Sequence, residues 1–183
     1  MPRPYPLVQP PRRVFRGWTL LELTCALALA ALLCALAVPA FGGLVTRLRA
    51  DMVRMQMATA FNMARNTAIT RHRPIAVCAS EDGWRCGGDW SRGWLIYRDH
   101  GPSPVPIAEE DILRFQPGST AKSVRAGASL GRHRLRFQRD GRSSGSNLTV
   151  SICAGPTLHS QVIVNNVGRT RARRVPQPTP CPF

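Results

Sequence analysis

The run from Trp18 to Phe41 constrains this chain more than any other stretch. Its 24 residues hold no Lys or Arg and a single carboxylate, Glu22. About 20 apolar residues in helical form cross a bilayer, so the run is long enough to span one. Arg12, Arg13 and Arg16 precede it, and positive charge of this kind marks the flank that stays cytoplasmic. A charged group at a bilayer centre costs on the order of 2.5–3.5 kcal/mol, so an acid in such a segment calls for a function. Glu22 lies one turn inside the run, where the cost is smaller. A secretory signal has an apolar core of about 7–15 residues and a small-x-small cleavage site. Ala35-Leu36-Ala37 offers such a site, but the run is too long for a signal. Neither a signal nor a plain single-pass anchor gives Glu22 a purpose.

The stretch Arg16-Gly17-Trp18-Thr19-Leu20-Leu21-Glu22-Leu23 resembles the processing motif of type IV pilins and pseudopilins. In that family a short basic leader ends in Gly, and Glu stands fifth in the apolar helix that follows. The resemblance implies that residues 1–17 are a prepilin leader, cut between Gly17 and Trp18 by a prepilin peptidase, with N-methylation of Trp18. Trp18 stands where the family usually has Phe. Glu22 is then the filament-assembly residue, paired with the amino terminus of a neighbouring subunit. The implied fold is α+β: a long N-terminal helix, membrane-spanning in its first half, packed on an antiparallel β-sheet head. The implied location is the bacterial inner membrane, single-pass, with the head in the periplasm until the subunit joins a pilus or pseudopilus. Other pilin or pseudopilin subunits are the implied partners, and no cofactor is.

A chain of 183 residues leaves room for one modest domain beyond the apolar helix. The net charge is +15, and subtracting the four arginines of residues 1–17 leaves +11. Such an excess draws phosphate and anionic surfaces. Of the six cysteines, Cys25 and Cys34 lie in the apolar run, where a thiol behaves as a small hydrophobe. Cys78, Cys86, Cys153 and Cys181 follow it and are expected to meet an oxidising compartment. Four cysteines admit three pairings. The strand order favours Cys78–Cys86 and Cys153–Cys181, each bond being local, whereas a zinc site lacks its close cysteine pairs.

The chain divides into the leader 1–17, the apolar helix 18–41, its amphipathic continuation 42–73, and a β-rich head with a basic tail over 74–183. Pro39 is expected to kink or loosen the helix, and Gly42-Gly43 follow. Leu44, Leu48, Met52, Met55, Thr59 and Met63 recur at three- and four-residue steps, a stripe expected to pack on the head. Pro74 ends the helix. Strands are expected at 74–78, 93–99, 112–115, 133–138, 147–153 and 161–165, with Arg134 and Arg136 facing outward from the fourth. Residues 81–89 form a turn-rich loop clipped by Cys86, bearing a Trp that folds back on the sheet. The Cys-bearing strand, the Asp82-Gly83 loop with its second Cys, and Trp90, Gly93 and Trp94 together resemble the GspH/FimT group of pseudopilins.

The tail is the second informative region. Between Arg132 and Arg174 there are nine arginines and one acid, Asp140, and four of the arginines fall in 169–174. Strand alternation places Arg169, Arg171 and Arg173 on one side at intervals of about 6.6 Å, comparable to the spacing of successive phosphates along a nucleic-acid strand. Each guanidinium can grip phosphate with a planar fork. Gly168-Arg169-Thr170-Arg171 resembles the tail of FimT-type minor pilins, which bind DNA in natural transformation. That resemblance implies Arg169, Arg171, Arg173 and Arg174, with Arg142, as a sequence-independent site for the backbone of double-stranded DNA. The alternative is a structural pseudopilin of the GspH type in a type II secretion system or pilus tip, without DNA. His72, His100, His133 and His159 show no metal spacing, and the acids of the head fall in loops without a base partner, so no enzymatic constellation is expected.

Overall fold

The computed structural model describes residues 17, 19–101, 106–119, 121–129 and 132–183; the side chains of Pro39 and Ala40 are left aside. Residues 1–16, expected to belong to a leader, and Trp18 lie outside the described residues. The chain divides into two units, residues 1–41 and 42–183, and helix α1 (Leu20–Thr70) contributes to both. It starts on Thr19, whose hydroxyl accepts from the Glu22 amide at 3.2 Å. Thr19 and Glu22 thus have the spacing of a capping box, and an acid in the first turn complements the helix dipole. Glu22 thus has a local role at the start of the helix. In the first unit Leu20, Leu21, Leu27, Leu29, Leu32, Leu33 and Leu36 are all exposed. Among the described residues α1 is the one helix long and apolar enough to cross a membrane. It runs unbroken through Pro39 and the two glycines, so the expected loosening does not interrupt it.

Eight strands follow among the described residues: β1 (Ile75–Ala79), β2 (Gly93–Arg98), β3 (Ile112–Pro117), β4 (Val124–Ala128), β5 (Arg134–Phe137), β6 (Leu148–Ala154), β7 (Thr157–Val164) and β8 (Thr170–Arg174). They form not one sheet but two, in the orders β3-β2-β1-β5 and β4-β6-β7-β8, with every pair antiparallel. In the first sheet, Ile75, Val77 and Ala79 join the main core while Ala76 and Cys78 pack with Leu95 and Tyr97 on the other face. Buried on both faces, β1 shows no polar alternation.

The helix buries a different face from the one its pattern suggested. Ala50, Val53, Met57, Ala60, Phe61, Ala64 and Ala68 are buried against the sheets, whereas Leu44, Leu48, Met52 and Met55 are each more than half exposed, and of the expected stripe Met63 packs on the core. Both sets recur at helical spacing. The small Ala side chains let the helix lie close to the sheets, and Phe61 fills the gap edge-on to Trp90, with centroids 5.9 Å apart. Size, not hydrophobicity, chose the face. Of the tryptophans, Trp90 and Trp94 are buried, while Trp84, inside the clipped loop, stays exposed rather than folding back.

Two disulfides form among the described residues, Cys78–Cys86 and Cys153–Cys181. Arg134 and Arg136 lie on the non-core face of β5 but do not simply point to water. Asp99, fully enclosed, sits 3.6 Å from Arg134 and 2.7 Å from Arg136. Asp111 closes the 100–111 loop in the same way, receiving His100 at 2.6 Å and Arg98 at 3.7 Å. The His100 contact is the main reason its carboxyl titrates below the usual range. Glu81, Asp89, Asp99 and Asp111 each have a basic partner among the described residues.

Candidate nucleic-acid interface

The basic tail is built on the β7–β8 hairpin. Val164 pairs with Thr170, and the loop between them closes on a Gly168 amide bond to the Asn165 carbonyl at 2.8 Å. The Asn165 side chain accepts from the Arg169 amide at 2.8 Å, which fixes where the first arginine leaves the turn. Gly168 has φ +79, and a Cβ there would stand 1.9 Å from the Gly141 carbonyl oxygen. Glycine is therefore required twice, by backbone conformation and by the close approach of the 139–142 turn. That turn is tied on by Ser143, whose amide and hydroxyl donate to the carbonyls of Asn166 (3.1 Å) and Asn165 (2.9 Å). The contact joins the two sheets and sets exposed Arg142 beside the start of the arginine strand.

Pairing across β7 decides which way each tail arginine faces. Thr170, Ala172 and Arg174 stand opposite buried Val164, Val162 and Ser160, so they share the core-facing side. Arg171 and Arg173 stand opposite Ile163 and Gln161 and share the outer side. Arg173 is oriented by Gln161, whose amide oxygen accepts from Nε at 3.2 Å and Nη2 at 2.8 Å. A neutral partner leaves that charge intact. Among the described residues the side chains of Arg169 and Arg171 have no hydrogen-bond or ionic partner, and both are exposed.

Arg174 is committed elsewhere. It faces α1 and forms a fork on Asp51, with Nε 3.0 Å from Oδ1 and Nη2 on Oδ2. Asp51 also takes Arg54 at 3.1 Å and His159 at 3.2 Å. The Arg174 hydrogen bond is the largest influence on this buried carboxyl; burial opposes it, His159 and Arg54 reinforce it, and the pKa falls to about 2. The carboxylate is thus held charged through the ordinary acid range, and the pair loosens only as pH drops toward that value. Arg174 therefore anchors the strand to the helix rather than extending the outward row. Asp51 and Gln161 had no signal in the sequence, because their partners lie far along the chain or on the neighbouring strand.

The family model described as "Type II transport protein GspH" matches residues 54–168. The chain belongs to the GspH family. Its fold is similar to that of the type IV minor pilin FimU of Pseudomonas aeruginosa, at 20% identity and a TM-score of 0.58, covering 73% of this chain and 94% of that one. A second crystal form of FimU gives a TM-score of 0.55 at 19% identity, over 70% of this chain and 96% of that one. The minor pseudopilin EpsH of the type II secretion system of Vibrio cholerae is matched at 13% identity with a TM-score of 0.45, over 70% of this chain and 99% of that one. No curated protein matches the chain in sequence. In this GspH-family member the matched region stops at Gly168, so the arginine strand and Cys181 lie beyond it.

Proposed function

We propose that this GspH-family protein is a minor pilin of a type IV pilus that holds double-stranded DNA by its backbone during DNA uptake in natural transformation. Arg169, Arg171 and Arg173 are the phosphate-binding residues, with Arg142 at their flank. The observation that carries the reading is the outward face of the β7–β8 hairpin, where arginines with no acidic partner among the described residues alternate on a fixed strand. Arginines on a paired strand lose less backbone entropy on binding than the same residues on a flexible tail, and backbone contacts carry no base preference. The role is binding and assembly rather than catalysis.

Electrophoretic mobility shift with the detergent-solubilised full chain tests this. The wild type is expected to bind duplexes of unrelated sequence equally, with affinity falling steeply as salt rises. Replacing Arg169→Gln and Arg171→Gln should lower the log–log salt slope by about 0.9 for each phosphate that is no longer neutralised. Arg174→Gln, whose guanidinium is spent on Asp51, should change the slope less. A wild type without salt-sensitive DNA binding leaves the structural pseudopilin as the role.

At the other end we propose leader removal after Gly17, methylation of Trp18, and pairing of Glu22 with the amino terminus of a neighbouring subunit. The exposed Leu44, Leu48, Met52 and Met55 stripe then meets other subunits of the filament. Glu22→Ala is expected to be processed but poorly incorporated, as read by sheared-pilus fractionation. Wild-type incorporation of that variant removes the role assigned to Glu22.

A further inference from the structure

A second basic site lies where α1 ends. Two bonds close the helix: the Arg73 amide donates to the Ala68 carbonyl and the His72 amide to the Ile69 carbonyl, both at 3.3 Å. This is the C-cap pattern whose penultimate donor sits in the left-handed region, a position usually given to glycine. Here it is His72, with φ +48, the one non-glycine residue of positive φ among the described residues. A side chain held where glycine would be easier points to a use for that side chain. His72 and Arg73 line a cavity of about 520 Å³ together with Arg98, Arg136 and Arg139.

The charges around this cavity do not balance. Asp99 lines it, but is already shared by Arg134 and Arg136. Arg98 reaches Asp111, which His100 also occupies. Arg73 and Arg139 are exposed and have no acidic partner among the described residues. Four arginines line the cavity (73, 98, 136 and 139), against Asp99 on its wall and Asp111, which Arg98 reaches, so an excess of two positive charges converges on a concave, polar surface. The size falls in the range of small-ligand sites, about 300–1,000 Å³, while the lining excludes an apolar occupant. Guanidinium forks and a multiple positive excess match a phosphate group, which offers several acceptor oxygens and more than one negative charge.

We propose that this cavity is a phosphate-binding site. It stands without the DNA reading of the tail, although Arg139 belongs to the turn whose Gly141 abuts Gly168. The phosphate can come from a nucleic-acid backbone or from free phosphate, and the two sources are separable. Isothermal titration of the detergent-solubilised full chain with pyrophosphate at low ionic strength should show binding by the wild type. Arg73→Gln with Arg139→Gln should weaken it at least about tenfold, whereas Arg85→Gln, at an exposed arginine that does not line the cavity, should leave it unchanged. Both replaced side chains in the first variant are exposed, and an unaltered circular-dichroism melt confirms that the fold is retained. If backbone phosphate is the source, the first variant also lowers the duplex salt slope by about 1.8. If free phosphate is the source, duplex binding is unchanged while pyrophosphate binding is still weakened. No pyrophosphate binding by the wild type, or equal binding by the Arg73/Arg139 variant, overturns the proposal. Because the readout is pyrophosphate, it can succeed or fail whether or not the tail binds DNA.

Discussion

Gly168→Ala is expected to destabilise the head by about 2–5 kcal/mol, from a left-handed backbone cost of about 1–2 kcal/mol and overpacking of about 1–3 kcal/mol. The steric part dominates because the obstacle is backbone. A Cβ at 168 would meet the Gly141 carbonyl oxygen at 1.9 Å and its carbon at 3.1 Å, with the Arg65 Nε also at 3.1 Å. Arg65 could swing away, but it donates to that same carbonyl at 3.1 Å and would give up the bond. The two turns must separate, and the Ser143 bonds to Asn165 and Asn166 stretch with them. Gly155→Ala supplies the control: its φ is +60 with nothing within 4 Å of the added Cβ, so only the conformational cost applies. Denaturant unfolding of the two variants separates the two effects. Equal losses of stability would mean that the turn-to-turn approach contributes little, and the positional reading of the Gly-Arg-x-Arg stretch would fail with it.

Glycine at 168 illustrates what the sequence carries and what it does not. That a glycine precedes the arginines is legible; that it meets Gly141 on another turn depends on how two sheets stack. The same division runs through the fold. The apolar run, the helix end near Pro74 and most strands were legible because period and punctuation are local signals. β4 was not: Val124-Arg125-Ala126-Gly127-Ala128 is short, Gly-bearing and weak in β-branched residues. β7 begins at Thr157, ahead of the expected 161, because the turn at Gly155-Pro156 starts a strand that opens with polar residues. The Met stripe misled because several faces of α1 satisfy the same spacing, and only the distance to the sheets selects among them. The tail row was half legible. Alternation correctly separates Arg171 and Arg173 from their neighbours, yet nothing local shows that Arg174 is matched to Asp51, 123 residues away.

Removing the Cys153–Cys181 bridge by Cys153→Ala with Cys181→Ala is expected to cost about 3.5 kcal/mol, the loop-closure entropy of 28 residues. The Cys78–Cys86 bridge, closing 8 residues, should cost nearer 2.5 kcal/mol by the same relation. The larger effect also falls on a particular element. Beyond β8 the chain keeps running along β7: Val175 donates to the His159 carbonyl at 3.0 Å, Leu158 to Thr179 at 2.8 Å, and Cys181 to Pro156 at 2.9 Å. The bridge fastens the far end of that edge to buried Cys153 in β6, while Arg174 on Asp51 fastens its middle. Without the bridge the edge is held at one end by the turn and at the middle by an ion pair, and it should fray from Cys181 backward. Hydrogen exchange at the Leu158, Val175 and Cys181 amides, whose bonds lie beyond Arg174, should therefore accelerate in the Cys153/Cys181 variant but not in the Cys78/Cys86 variant. Unchanged protection would mean that β8 is held by its pairing to β7 alone. The disulfide would then be unnecessary to the fixed arginine face on which the proposed DNA binding depends.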